Sequence, residues 1–149
     1  MGKRDKLEVN LNLQSSLLDI SITGFTPQTY GNDDVARKMK LRDAIKSKIN
    51  DLALVQKNCR DKKLSLDVCF NLFSETTELG RKTKDLDNLL KILLDTIPDY
   101  MDRAKENVGL GLVPEDRDDL IFHINCRKNL VADELQEGID LKIYEFIEN

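Results

Sequence analysis

The 149-residue chain contains no tryptophan, and its aromatic share is only 5%. Readers of single-stranded nucleic acid need stacking platforms, so this scarcity argues against that class. Long apolar runs are also missing: no segment approaches the roughly 20 residues of a membrane-spanning helix. The opening Met1-Gly2-Lys3-Arg4-Asp5-Lys6 leads into alternating polar and apolar residues and lacks the apolar centre of a secretory signal. Gly2 would suit N-myristoylation, but Lys6 stands where that motif needs a small hydroxyl residue. A cytoplasmic protein without a membrane partner is expected.

Cysteine and histidine are equally sparse. Cys59, Cys69 and Cys126 lie far apart with no Cys-x-x-Cys pair, which opposes both a disulfide framework and a zinc knuckle. Cys69 and Cys126 fall within strand-like stretches, where buried reduced thiols are expected. A cysteine nucleophile would need a histidine, and the sole one, His123, sits mid-strand in a structural setting.

Charge is abundant, and it is unevenly divided. Residues 36–63 hold ten Lys/Arg against three Asp, a local +7 in a chain of net charge −4, so the remainder carries −11. Such asymmetry fits a basic surface beside an acidic site, or equally a solvated helix whose lysines keep it soluble.

Alternation predicts half-buried strands over residues 7–13 and over Leu18-Asp19-Ile20-Ser21-Ile22. The first could equally be an ordered arm, so 1–16 is read as a leader or extra strand and 17–149 as one domain. From 34 to 54 the period becomes helical: Leu41, Ile45, Ile49 and Leu52 form an apolar stripe, and Lys38, Arg42 and Lys46 a basic one. Asp33 or Asp34 would cap its start. A polar, basic connection over 57–63 precedes the clean alternation of 64–72.

A polar loop over 74–83 leads to a second helix with a stripe of Leu86, Leu89, Leu90, Leu93 and Ile97, ended by Pro98. Residues 100–107 could add a helical turn or two before Gly109-Leu110-Gly111 breaks them. Strands are predicted over 120–127 and 139–146. The order β(β)αβαββ gives an α+β fold, with two main helices on a mixed sheet.

The run Lys84-Asp85-Leu86-Asp87-Asn88-Leu89-Leu90-Lys91 carries the clearest chemistry. Two carboxylates this close repel, and they become useful when a divalent cation sits between them, since hard oxygen ligands suit Mg²⁺. With Asp85 as N-cap and Asp87 in the first turn, both can converge beside the positive helix end. Lys91 lies one turn beyond Asp87. The basic flank of Arg81, Lys82 and Lys84 would attract phosphate. A third ligand must come from elsewhere, and Glu115-Asp116-Arg117-Asp118-Asp119 is the best supply. The alternative is that Asp85 and Asp87 are capping acids contributing about 0.3–1 kcal/mol each.

These residues resemble the RusA family of Holliday junction resolvases. The family motif Asp-x-Asp-Asn-x-x-Lys is matched at Asp85, Asp87, Asn88 and Lys91, and its acidic strand entry has a counterpart in Asp118-Asp119-Leu120-Ile121, in a strand ending Arg127-Lys128. Three features depart from it: the leader before Leu17, the long 99–115 link, and Arg117 where the first paired acid would fall. The resemblance implies a homodimeric endonuclease that uses Mg²⁺, with Mn²⁺ as a substitute, to nick four-way or other branched DNA. It implies a catalytic set of Asp85, Asp87, Lys91 and Asp118, with the metal held by Asp85, Asp87 and Asp118, and with Asp119 or Asp116 as alternative third ligand. Lys38, Arg42, Lys46, Lys48, Arg81, Lys82 and Lys84 would contact DNA. A rival expectation is a DNA-binding protein of the same fold that does not cut, and another is a nuclease for a different branched substrate.

Overall fold

The structure, a computed structural model, describes residues 15–29, 34–73, 84–101 and 106–148. Its strands are β1 (Leu18–Thr23), β2 (Leu64–Phe73), β3 (Ile121–Val131) and β4 (Gly138–Glu145), and its helices are α1 (Asp34–Lys46), α2 (Leu52–Cys59) and α3 (Leu86–Thr96). The expected strand over 7–13, most of the leader, the α1 capping acids, and Arg81 and Lys82 lie outside the described residues or side chains.

The four strands form one sheet in the order β1-β4-β2-β3. β4 runs antiparallel to both β1 and β2, whereas β3 runs parallel to β2, so the sheet is mixed as expected. Register explains the core. Phe70, Val68 and Leu66 of β2 pair with Ile139, Leu141 and Ile143 of β4, which pair in turn with Ile22, Ile20 and Leu18 of β1. Residues two apart share a face, so these nine side chains form one continuous apolar surface. All are buried, and they join one cluster with Leu41 and Ile45 of α1 and Leu89, Ile92 and Leu93 of α3. The helices therefore cover one face of the sheet, and the intervening positions Ser65, Asp67 and Asn71 lie on the other.

The single long helix expected over 34–54 is instead two helices. α1 stops at Lys46, and Ser47 turns back to donate its hydroxyl to Ala44 O at 2.6 Å. Asp51 then caps α2 by accepting from Leu54 N at 3.1 Å. The described residues thus carry three α-helices where two main ones were expected. α3 buries Leu89, Ile92, Leu93 and Thr96, with Ile97 just beyond, so of the expected stripe Leu89, Leu93 and Ile97 are in the core while Leu86 and Leu90 are only half-buried. Thr96 is fully buried, and its hydroxyl is satisfied by Leu93 O at 2.7 Å. No helix among the described residues is long and apolar enough to cross a membrane.

Beyond Pro98 the chain does not continue as helix where it is described. Tyr100 bridges to Val108, and Pro98 to Val113, so the link folds back along itself. Its Leu110, Leu112 and Val113 are fully buried. Side chains of α1, α2 and the α2 C-cap clamp its carbonyls in succession: Arg42 donates to Val108 O at 2.9 Å, Gln56 to Leu110 O at 2.9 Å, and Arg60 to Gly111 O at 3.1 Å. Arg60 also forks onto Asp99 at 2.6 and 3.1 Å. Gly111 has φ +71°, a left-handed conformation that an L side chain rarely adopts, and a Cβ there would press on Gln56.

Candidate active site

Burying the Leu89–Ile92–Leu93–Thr96 stripe turns the opposite side of α3 outward. Asp87, Lys91 and Asp95 recur at i, i+4 and i+8, so they share that outward side. The clamped link brings a second acidic group against it. Asp118 opens a short 3₁₀ turn that leads into β3, and Glu115 and Asp116 precede it. Between the two walls lies a cleft of about 590 Å³, bordered by Asp87, Lys91, Asp95, Glu115, Asp116 and Asp118. Leu90, Leu94, Ile121 and Ile124 give it an apolar lining. Asp116 has φ +62°, the sole non-glycine residue with positive φ among the described residues, so the turn is strained where it meets the cleft.

Asp87 and Lys91 of α3 and Asp118 of the 3₁₀ turn therefore border one cleft. Asp85 is the N-cap of α3 by position, with extended φ −68° and ψ 133°, but its carboxylate makes no capping hydrogen bond. It is exposed and does not line the cleft. Asp119 lies outside the cleft as well. Its carboxylate takes a forked pair of hydrogen bonds from Arg117, at 2.9 and 3.3 Å, and that guanidinium holds it below the usual carboxylate range. Among the positions open for a third acid, Asp118 and Asp116 border the cleft and Asp119 does not.

The basic set divides. Lys46 and Lys48 are exposed at the end of α1. Lys38 is not presented to solvent: it is buried and its Nζ lies 3.0 Å from Asp95 Oδ2. Arg42 is spent on the link carbonyl of Val108 and on Asp43. Lys84 is half-buried and donates to Pro27 O at 2.7 Å, and burial lowers its pKa. His123 is exposed on β3, with Nδ1 2.9 Å from Ser65 Oγ.

Sequence reasoning did not single out Asp95 or Tyr100, which border the same cleft. For Asp95 the signal was present, since it follows Lys91 by one turn. Tyr100 depends on the fold of the link and had no local signature.

The donor chemistry of the cleft is hard carboxylate oxygen, which suits Mg²⁺. Among the described residues, no three acidic, histidine or cysteine side chains gather closely enough to enclose an ion. Mg²⁺ does not require such a cage: it is commonly held by one or two carboxylates and completes its shell with water and substrate phosphate oxygens. Asp87 and Asp118 are the residues that could hold it. No protein-family model matches the chain, and no curated protein is significantly similar to it.

Proposed function

We propose that this protein is a Mg²⁺-dependent endonuclease of the RusA type, cutting four-way DNA junctions by paired symmetric nicks as a homodimer. The observation that carries the reading is the shared cleft of Asp87, Lys91 and Asp118, whose residue types and order match the resolvase pattern. Asp85, the remaining carboxylate of the pattern, is exposed at the N-cap and does not border the cleft, so the reading rests on Asp87 and Asp118.

In this reading Asp87 and Asp118 are the residues that would hold the ion. A bound Mg²⁺ would supply positive charge there and lower the pKa of a coordinated water. Lys91, on the same wall as Asp87, stabilises negative charge that develops on the phosphate oxygens. Leu90, Leu94, Ile121 and Ile124 give the cleft half-buried apolar walls, which lower the local dielectric and strengthen these interactions. Lys46 and Lys48, together with Arg81 and Lys82 of the basic run, would neutralise backbone phosphates, which makes affinity fall with salt. A dimer gives one such site to each of two opposed strands.

The test is to incubate the protein with labelled four-way junction, flap and linear duplex, with Mg²⁺ or with chelator. Paired nicks confined to the junction are expected. Binding without product would make the protein a DNA-binding module, and cutting of flap or duplex would reassign its substrate.

A further inference from the structure

Glu137, at the mouth of β4, is a charged residue only 4% exposed, and the site as described above does not use it. Its carboxylate is fully engaged. Thr26 donates its hydroxyl to Oε1 at 2.7 Å, and Phe73 N donates to Oε2 at 2.9 Å. Its backbone carbonyl accepts Phe25 N at 3.0 Å. One residue thus fastens the loop after β1 to the end of β2.

That loop holds the start of α3. Pro27 O, one residue beyond Thr26, accepts Lys84 Nζ at 2.7 Å, and Lys128 Nζ of β3 donates to Lys84 O at 3.1 Å. Lys84 immediately precedes Asp85, whose carbonyl receives the first bond of the helix from Leu89 N at 3.0 Å. Burial and Arg37 act to lower the Lys84 pKa, and the Glu137 carboxylate acts against them, so the two groups interact electrostatically. A carboxylate placed here is costly to bury unless its oxygens are hydrogen-bonded, and both of them are.

We propose that Glu137 is a positioning residue for the cleft: through Thr26, Pro27 and Lys84 it fixes where α3 begins, and so where Asp87 and Lys91 stand. The consequence for cleavage rests on the nuclease reading. The consequence for α3 does not.

The experiment compares Glu137→Gln, Lys84→Met and the double variant by amide hydrogen exchange, with thermal unfolding alongside. Leu89 N reports the first helical bond, and Val68 and Leu141 report the centre of the sheet. Exchange at Leu89 is expected to quicken about tenfold in each single variant and no further in the double, with Val68 and Leu141 unchanged. An unchanged Leu89, additive effects, or equal quickening at all three amides would overturn the proposal. Thr26→Val, which removes a single hydrogen bond, gives the same readout should Glu137→Gln not fold. On junction DNA, Glu137→Gln is expected to lower kcat about tenfold at unchanged KM, as supporting residues around metal sites do. A wild type that cuts beside a Glu137→Gln variant cutting equally fast sinks the positioning role and leaves the nuclease reading standing. A wild type that never cuts, with the exchange pattern intact, sinks the nuclease reading alone.

Discussion

Asp87 in the first turn of α3 and Asp118 in the turn before β3 border one cleft, although an entire helix and a folded link separate them in the chain. The helix puts Asp87 outward by burying its other side, and the clamped link returns Asp118 to it. From this relationship the acids can be ranked. Asp118→Asn should lower junction cleavage about a hundredfold or more, the scale seen when one transition-state contact is removed. Asp119→Asn should stay within about threefold of wild type, because Asp119 serves Arg117 outside the cleft. Cleavage rates of the two variants at saturating junction check this directly.

The basic residues should separate in the same manner. Lys46→Ala and Lys48→Ala should each weaken DNA binding and reduce the slope of log affinity against log salt by about 0.9. Lys38→Met should act on stability instead, because it leaves Asp95 at the cleft without its partner. A cost of about 1–3 kcal/mol is expected, below that of a fully buried pair because Asp95 is 34% exposed. Salt-dependent binding and urea unfolding distinguish the two kinds of effect.

Arg60 and Asp99 give stability a pH dependence. The Arg60 hydrogen bonds hold the Asp99 carboxyl below the usual carboxylate range. A depressed folded-state pKa adds stability above the unfolded value of about 3.9, and that stability is lost as pH falls through the folded value. Arg60→Gln should therefore be less stable than wild type by about 0.2–1 kcal/mol near neutrality, with the gap narrowing below about pH 4. Urea midpoints measured across that range test the sign.

Thiol chemistry should follow burial. Cys59 is fully buried and its pKa is pushed up to about 11, chiefly by desolvation. Cys69 is buried too, whereas Cys126 is half-buried with a pKa raised by desolvation and by Cys69. Alkylation of the native protein near neutral pH should reach Cys126 slowly and spare Cys59, and denaturant should expose all three. Mass spectrometry of the labelled peptides reads the result.

Much of this fold was legible because its strongest elements obey local periodicity. β2 alternates cleanly because one face meets the helices and the other carries Ser65, Asp67 and Asn71. α3 showed Leu89, Leu93 and Ile97 of its buried stripe, and with them the outward row of Asp87 and Lys91. Part of what escaped depends on partners distant in sequence. Lys38 and Arg42 look like a solvated basic stripe until Asp95 and Val108 O are brought against them. The break between α1 and α2 turns on Asp51, which resembles any other polar residue unless its bond to Leu54 N is known. The 99–115 link has little pattern of its own because Arg42, Gln56 and Arg60 hold it from outside.

The most direct test is a double-mutant cycle on Mg²⁺-supported junction cleavage using Asp87→Asn, Asp118→Asn and both together. Two side chains serving one centre should be strongly non-additive, so the double variant should be no slower than the worse single one, with junction binding retained throughout. Independent, multiplying losses, or wild-type cleavage by either single variant, would contradict a shared centre.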